Sequence, residues 1–470
     1  MSSPSRRLVL ALRLLALLTI ALHLAAPSFK ESWAWGVWPA TYLPAVWRWT
    51  LGAAAAALAL AGDRISARVL RFVGARSRVP RPSWPVVRLA ASALAVVPFY
   101  LFRIVHTRWG DAYILVNAIA HPEVRLTYTW MAPLDVFLHA KTWAVGHGLW
   151  GWPDAAPAYA FWSCIAGGAF VWVLLGMAHW LGRDRTERWL TVGLVVTLGT
   201  MQLFFGYVEN YVIVAVGILV YLWLGLRALR GEIPLLWAAG VLALTHAFNP
   251  STLFIAPSLL YLAWRSPLAF PGQDATHPRS FGRGLAAATL PYLAVGLGVI
   301  AFMTAGGHGI AALLGADAPG GGDHRWFVPL LRTTTRWEHY VMFSLGHLID
   351  IANEQMLAAP VVCASLVLAA ALACQRLPGR DPVFRFLLLV SGLFLVLILT
   401  WNADFGGQRD WDLFSLASIP AAVLAAYTLP RVVPERRALV QAGWALVVAQ
   451  AYHTLAWVYQ NTLPWQWPKG

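Results

Sequence analysis

Apolar residues fall along this chain in long runs, separated by short clusters of Arg, Asp, Glu, Asn and Gly. A bilayer core about 30 Å thick is crossed by roughly 17 to 25 residues of helix, and backbone groups in lipid are satisfied only in helices or closed barrels. The runs at 8–26, 44–61, 86–102, 158–181, 189–205, 211–226 and 233–247 therefore read as spans. So do those at 252–264, 285–304, 358–374, 386–401, 413–427 and 438–458. They make about thirteen in all, too long for barrel strands, and the expected fold is an all-α polytopic membrane protein. The first run follows Arg6 and Arg7 and has the shape of a signal peptide, but its length favours a retained anchor.

Composition agrees, with 59% hydrophobic residues, 12% charged and a mean hydropathy of +0.61. The net charge of +14 does not indicate a nucleic-acid partner, because the basic residues lie between apolar runs rather than on one soluble face. Cytoplasmic loops of membrane proteins collect Lys and Arg. With the N-terminus inside, every basic cluster falls on that side: Arg64 to Arg81, Arg183 to Arg188, Arg227 and Arg230, Arg265 to Arg283, Arg376 to Arg385, and Arg431 to Arg437. The expected location is the inner (plasma) membrane. Three sections are expected: an N-terminal pair of spans with its basic loop (1–85), a central module (86–304) with a first outer loop at 103–157, and 305–470 with a second outer loop at 305–357. Cys164, Cys363 and Cys374 lie in apolar runs without CxxC spacing, so neither a disulfide framework nor a thiolate metal site is indicated.

The unusual polar residues gather on the outer side. Asp111, in Arg108-Trp109-Gly110-Asp111-Ala112-Tyr113, directly follows a span. A carboxylate at the rim of a partly dry cavity can take a proton from an attacking hydroxyl; a helix cap or an ion pair with Arg108 explains the same residue. Pro133-Leu134-Asp135 opens an amphipathic stretch expected to lie along the interface. On it, Asp135 and His139 share a helix face, as substrate-binding groups or as a local ion pair.

A span, then Gly-Asp at the start of a large outer loop, then a Pro-Leu interfacial helix and many further spans resembles the GT-C superfamily of membrane glycosyltransferases, most closely its Rgt/PMT-like branch. The resemblance covers roughly 86–264. It implies an outer catalytic cavity, interfacial helices in the first loop and transfer of a sugar from a polyprenyl phosphate. By it, Asp111 matches the acidic catalytic position and Pro133-Leu134 the start of the second interfacial helix. The chain departs in having a single Asp where an Asp-Glu pair is common, and in two additional N-terminal spans.

Glu209 and Asn210, between Tyr207 and Tyr211, form a set that suits sugars: acid and amide bond hydroxyls while rings cover the apolar face. An interfacial turn of belt aromatics explains them equally. His246 and Asn249, before Pro250, are read either as sugar contacts or as a hydrogen-bonded histidine in a Pro-broken helix. In the second outer loop stand His324, Arg325, Arg336, His347, Asp350 and Glu354, and near the end of the chain Asp404, Arg409, Asp410 and Asp412. Arg325, Arg336 and Arg409 suit a departing polyprenyl phosphate, whose charge guanidinium groups stabilise; around Arg409 a self-neutralising network is the alternative. His324 and Glu354 are candidate substrate contacts. No ligand spacing such as HExxH points to a metal, and a divalent ion is not indicated.

These features predict an inverting glycosyltransferase that moves a sugar from a polyprenyl-phosphate donor to a hydroxyl of a glycan, lipid or protein acceptor, with Asp111 as base. The alternative is a polytopic transporter or lipid-linked glycan flippase. Transporters place their sites near the midplane between repeated halves; here the polar groups sit to one side and no repeat is evident. A polymerase or ligase acting on lipid-linked glycans would share the donor chemistry.

Overall fold

The computed structural model describes residues 3–74, 83–273, 280–315 and 325–465. Arg76, Arg78, Arg81, Arg279, Asp323 and His324 lie outside the described residues. In chain order the α-helices are α1 (Ser3–Ala25), α2 (Glu31–Ala34), α3 (Ala45–Gly74), α4 (Trp84–Leu101), α5 (Ala112–Ala120), α6 (Pro133–Trp150), α7 (Ala156–Leu181), α8 (Arg185–Val196), α9 (Val212–Leu229) and α10 (Leu235–Phe248). They continue as α11 (Ser258–Arg265), α12 (Phe281–Ala305), α13 (Ile310–Leu313), α14 (Leu345–Ala358), α15 (Val362–Ala373), α16 (Pro382–Thr400), α17 (Trp411–Ser415), α18 (Ser418–Val432) and α19 (Arg436–Asn461). The all-α polytopic architecture is as the apolar runs require. Among the described residues the only extended pairing is one isolated antiparallel bridge, Phe327 with Trp401.

Local chemistry sets several boundaries. Asp184 starts α8 by accepting the amides of Thr186 and Glu187 at 2.7 and 3.0 Å, while Glu187 reaches back to the Arg183 amide at 2.9 Å. Asp381 does the same for α16, accepting the Val383 amide at 2.8 Å. α6 ends at Gly151, whose φ of +68° favours a residue without Cβ. α10 stops at Asn249, held extended before Pro250.

Among the described residues eight helices are long and apolar enough to cross a membrane, nine if the pair α14–α15, bent by 102°, is one span. The expectation of about thirteen exceeds that number for identifiable reasons. The run at 189–205 divides into α8 and a 3-10 turn at Gly199–Phe204, and that at 252–264 into another 3-10 turn and the short α11. α10 has 14 residues, and α19, long enough at 26, buries Gln450, His453, Gln460 and Asn461 on its inner face. Backbone that breaks helix inside a membrane protein is tolerated where other protein covers it, and Gly199–Phe204 is wholly buried.

α18 forms the centre of the bundle and is buried throughout, whereas α4 and α12 lie at its edge, largely exposed. The N-terminal helices belong to the same core: α1 packs on α19 and α15, and α3 on α19. His23 Nε2 and His453 Nδ1, both fully buried, meet at 2.7 Å between α1 and α19.

α7, α9 and α16 each run between two unlike ends. At one, Arg183 pairs with Glu187 at 2.7 Å, Arg227 with Glu232 at 3.0 Å, and Arg436 bonds the Thr186 hydroxyl at 3.0 Å. At the other, the loops before α5, before α9, after α10 and after α16 converge on one cavity.

Candidate active site

The site grows from a turn that only glycine fits. Gly110 has φ +47°, and a Cβ there would collide with Glu209 Oε1 and stand 3.3 Å from Asp412 Oδ2. The next residue, Asp111, donates its amide to Glu209 Oε1. From the other side, the Gly110 amide donates to the Arg409 carbonyl at 2.9 Å, and Arg409 Nη2 donates to the Gly110 carbonyl at 3.2 Å. The turn that carries Asp111 is thus clamped between the segment before α9 and the loop before α17.

The supporting carboxylates are themselves fixed by backbone. Glu209 Oε2 accepts the Asn210 amide at 3.2 Å. Asp412 Oδ1 accepts the Leu413 amide at 2.9 Å, and its Oδ2 accepts the Tyr207 hydroxyl at 3.2 Å. Asp410 Oδ2 accepts the Phe405 amide at 2.9 Å. Four of the carboxyls on the wall, Asp111, Glu209, Asp410 and Asp412, therefore belong to three short segments brought to one end of the bundle by α5, α9 and α17.

These groups line a cavity of about 370 Å³, a volume in the range of small-molecule sites. Its other walls are aromatic, from Phe254, Trp326, Phe327, Trp401 and Phe405, with Met131 beside them. The bridge between Phe327 and Trp401 closes that side: the Val328 amide donates to the Thr400 carbonyl at 2.9 Å, and the Asn402 amide to the Trp326 carbonyl at 3.0 Å. Three buried polar atoms of lining residues, Asn210 Oδ1, Ser251 Oγ and Asn402 Oδ1, have no hydrogen-bond partner among the described residues. Buried polar atoms are nearly always satisfied, so these are disposed to meet the hydroxyls of a bound molecule.

Burial governs the electrostatics. It pushes the Asp111 carboxyl above its ordinary value, against the opposing pull of the Arg409 cation. Glu209 is held well above the usual carboxylate range by burial and then by the charges of Asp412 and Asp111. Burial likewise raises Asp410 and lowers Arg409. Carboxyls crowded in this way hold protons between them rather than all ionising.

The sequence-predicted residues divide. Asp111, Glu209, Asn210 and Asn249 are on the cavity wall. Tyr207 stands behind it, bonded to Asp412, and Arg409 stands behind Gly110, stacked over Phe405 at 4.5 Å. His246 is turned away, bonded to the Thr252 hydroxyl at 2.6 Å and the Tyr292 hydroxyl at 3.2 Å. Asp135, expected to bind substrate, is fully buried in α6; its Oδ2 lies 3.1 Å from His139 Nδ1, and the His139 ring stacks on Tyr159 at 3.8 Å. It lies off the wall because the face it shares with His139 is the one that packs on α7.

Glu354, also expected at the substrate, lies buried beneath the loop before α17, where a Cβ on Gly407 would come within 2.6 Å of its Oε1. Arg336 is exposed over Trp337 at 4.6 Å and does not reach the cavity. Arg325 is exposed and immediately precedes Trp326, at the rim; Glu338 is lowered chiefly by the Thr334 amide, with the Arg325 charge adding to it. Sequence reasoning missed the wall of Trp326, Phe327, Trp401 and Phe254, together with Ser251 and Asn402. The available signal was the position of aromatics beside polar outer turns, diluted by 26 Trp in the chain. Among the described residues no three His, Cys, Asp or Glu side chains come together as ligands for a metal ion.

No family model matches the chain, and no curated protein does. Among solved structures, the crystal structure of ArnT from Cupriavidus metallidurans bound to undecaprenyl phosphate is similar over 80% of this chain and 77% of that chain, with 11% sequence identity and a TM-score of 0.46.

Proposed function

We propose that the protein is an integral-membrane inverting glycosyltransferase that takes a sugar from a polyprenyl-phosphate donor and passes it to an acceptor hydroxyl on the outer face. The observation that carries this reading is Asp111: a half-buried carboxylate on the wall of the cavity, its turn held by backbone clamps on both sides. The acceptor oxygen attacks the anomeric carbon as its proton passes to an Asp111 carboxylate oxygen. The bond from that carbon to the phosphate oxygen breaks on the opposite side, and its electron pair leaves with the lipid phosphate. Holding both partners in line is the main catalytic contribution required.

The cavity's composition orders the substrates. Five lining carboxyls, Asp111, Glu209, Asp404, Asp410 and Asp412, with no cation lining the cavity among the described residues, disfavour a phosphate deep inside. The sugar belongs within, its hydroxyls on Asn210, Ser251 and Asn402 and its apolar face on the aromatic wall. The phosphate belongs at the rim near Arg325, with Arg409 adding positive potential from behind Gly110. The polyprenyl chain lies in the bilayer. The gathering of basic residues at the far end of α7 and α9 supports a cytoplasmic N-terminus and an outward cavity in the plasma (inner) membrane.

The test is transfer of radiolabelled sugar from a panel of polyprenyl-phosphate sugars in membranes holding wild-type protein or Asp111→Asn at equal level. Transfer by wild type and its loss in the variant is the expected result. Wild-type protein that transfers nothing, yet moves a lipid-linked glycan across proteoliposomes, replaces this reading with a flippase.

A further inference from the structure

A second concavity, of about 690 Å³, opens away from the active-site cavity, between the outer end of α1, the segment 28–37 that follows it, and α14. Its wall is apolar, formed chiefly by Leu22, Phe29, Trp33, Val37, Ile349 and Met356. Phe29 and Trp33 are 42% and 61% exposed, which leaves their rings open to the groove and the bilayer. The apolar span that begins the chain ends at Ser28, so Phe29, Lys30 and Trp33 fall at headgroup depth, where aromatic rings and Lys anchor membrane proteins.

Lys30 is exposed at the rim, and among the described residues no carboxylate lies within ion-pair distance of its ammonium. The neighbouring Glu31 is held elsewhere, by Arg108 at 3.3 Å and Gln408 at 3.0 Å. An apolar trough at this depth fills with a lipid chain, and an unneutralised cation at its mouth selects among headgroups.

We propose that this groove seats a phospholipid with an anionic headgroup, its acyl chain along the apolar wall and its phosphate against Lys30. The segment forming one side of the groove is bound to α14 and to the active-site loop. The Trp35 ring nitrogen donates to Asp350 Oδ1 at 3.0 Å, the Gly36 amide to Asn353 Oδ1 at 2.8 Å, and Asn353 Nδ2 to the Trp33 carbonyl at 3.1 Å. Gln408, one residue before Arg409, bonds Glu31. A seated lipid therefore braces the support of the catalytic turn without entering the cavity. The inference is independent of the glycosyl-transfer reading.

The test uses the full chain in nanodiscs of phosphatidylcholine alone or with phosphatidylglycerol, followed by native mass spectrometry of the lipids retained. Phosphatidylglycerol should be retained over phosphatidylcholine about fivefold, the selectivity expected of one lysine at the membrane surface. Lys30→Gln should abolish that preference and Lys30→Arg restore it, while Ala352→Trp, which fills the groove from an exposed position, should remove the tightly held lipid altogether. Matched melting curves in detergent show that each variant is folded. Equal retention of both lipids by wild type, or phosphatidylglycerol retention unchanged by Lys30→Gln and Ala352→Trp, overturns the proposal. Displacement of phosphatidylglycerol by an equimolar polyprenyl phosphate also overturns it and gives the groove to the carrier lipid.

Discussion

To serve as the proposed base, Asp111 has to be dry enough to act on a weakly acidic hydroxyl and yet ionised when the acceptor arrives. Burial raises its carboxyl above the ordinary value, and Arg409 provides the opposing charge. Two outcomes follow. Asp111→Asn should lower sugar transfer by about 10²- to 10⁴-fold, the usual contribution of a general base, with an unchanged melting temperature. The acid limb of kcat/KM should lie above the ordinary carboxylate range, activity falling as the pH drops through it. Arg409→Gln removes the cation that favours the ionised form, so that limb should move to higher pH by about 1 to 3 units. A pH-rate series on the two proteins decides this, and a limb that stays in place separates Arg409 from the ionisation of Asp111. At this scale the polar wall of the candidate cavity was legible, because Asp111, Glu209, Asn210 and Asn249 each interrupt an apolar run where a span ends. Asp135 and Glu354 interrupt runs too, but nothing local tells a polar group facing a cavity from one packed inside, and both are buried beneath supporting elements.

The turn that carries Asp111 depends on two segments far apart in sequence, and its weak point is a glycine. Gly110→Ala places a side chain in the left-handed region and against Glu209. The expected cost is about 1 to 2 kcal/mol of stability, with a larger proportional loss of kcat because Asp111 moves with the turn. Melting in detergent and initial rates measured on the same preparation separate the two. α1 makes a similar demand on α19 through His23 and His453, the latter also bonding the Leu357 carbonyl at 2.7 Å. His453→Ala leaves a buried ring nitrogen and a buried carbonyl without partners and should destabilise the protein by about 1 to 3 kcal/mol. A melting temperature equal to wild type would mean that α1 is peripheral. The apolar runs located the helices well, since each of the thirteen overlaps helical structure. They misjudged length wherever surrounding protein relieves a helix of its obligation to continue, as at Gly199–Phe204. The aromatic wall was invisible at this scale for a related reason: the pairing of Phe327 with Trp401 joins residues with nothing between them to mark the contact.

Across the whole molecule, charge and chemistry are segregated along the helix axes. α7 begins near the cavity and ends before Arg183; α9 begins just after Glu209 and ends with Arg227; α16 starts near Arg380 and Arg385 and ends at Trp401. Arg183, Arg227, Arg380 and Arg385 therefore gather at one end of these helices, and the acid-lined cavity lies at the other. Because cytoplasmic loops collect Lys and Arg, the cavity should face outward, and this can be measured directly. In a protein whose three native cysteines are replaced by alanine, Glu123→Cys, exposed beside α5, should react with a membrane-impermeant maleimide in intact cells. Arg230→Cys, exposed after α9, should react only after lysis. The opposite pattern would put Asp111 in the cytoplasm. The lipid-linked donor would then have to be drawn from the inner leaflet, and the basic end would have to be held outside against the bias that ordinarily fixes membrane orientation. If the expected pattern is found, the acceptor has to be exposed on the outer face, which restricts the search to glycans, lipids and proteins that reach that side.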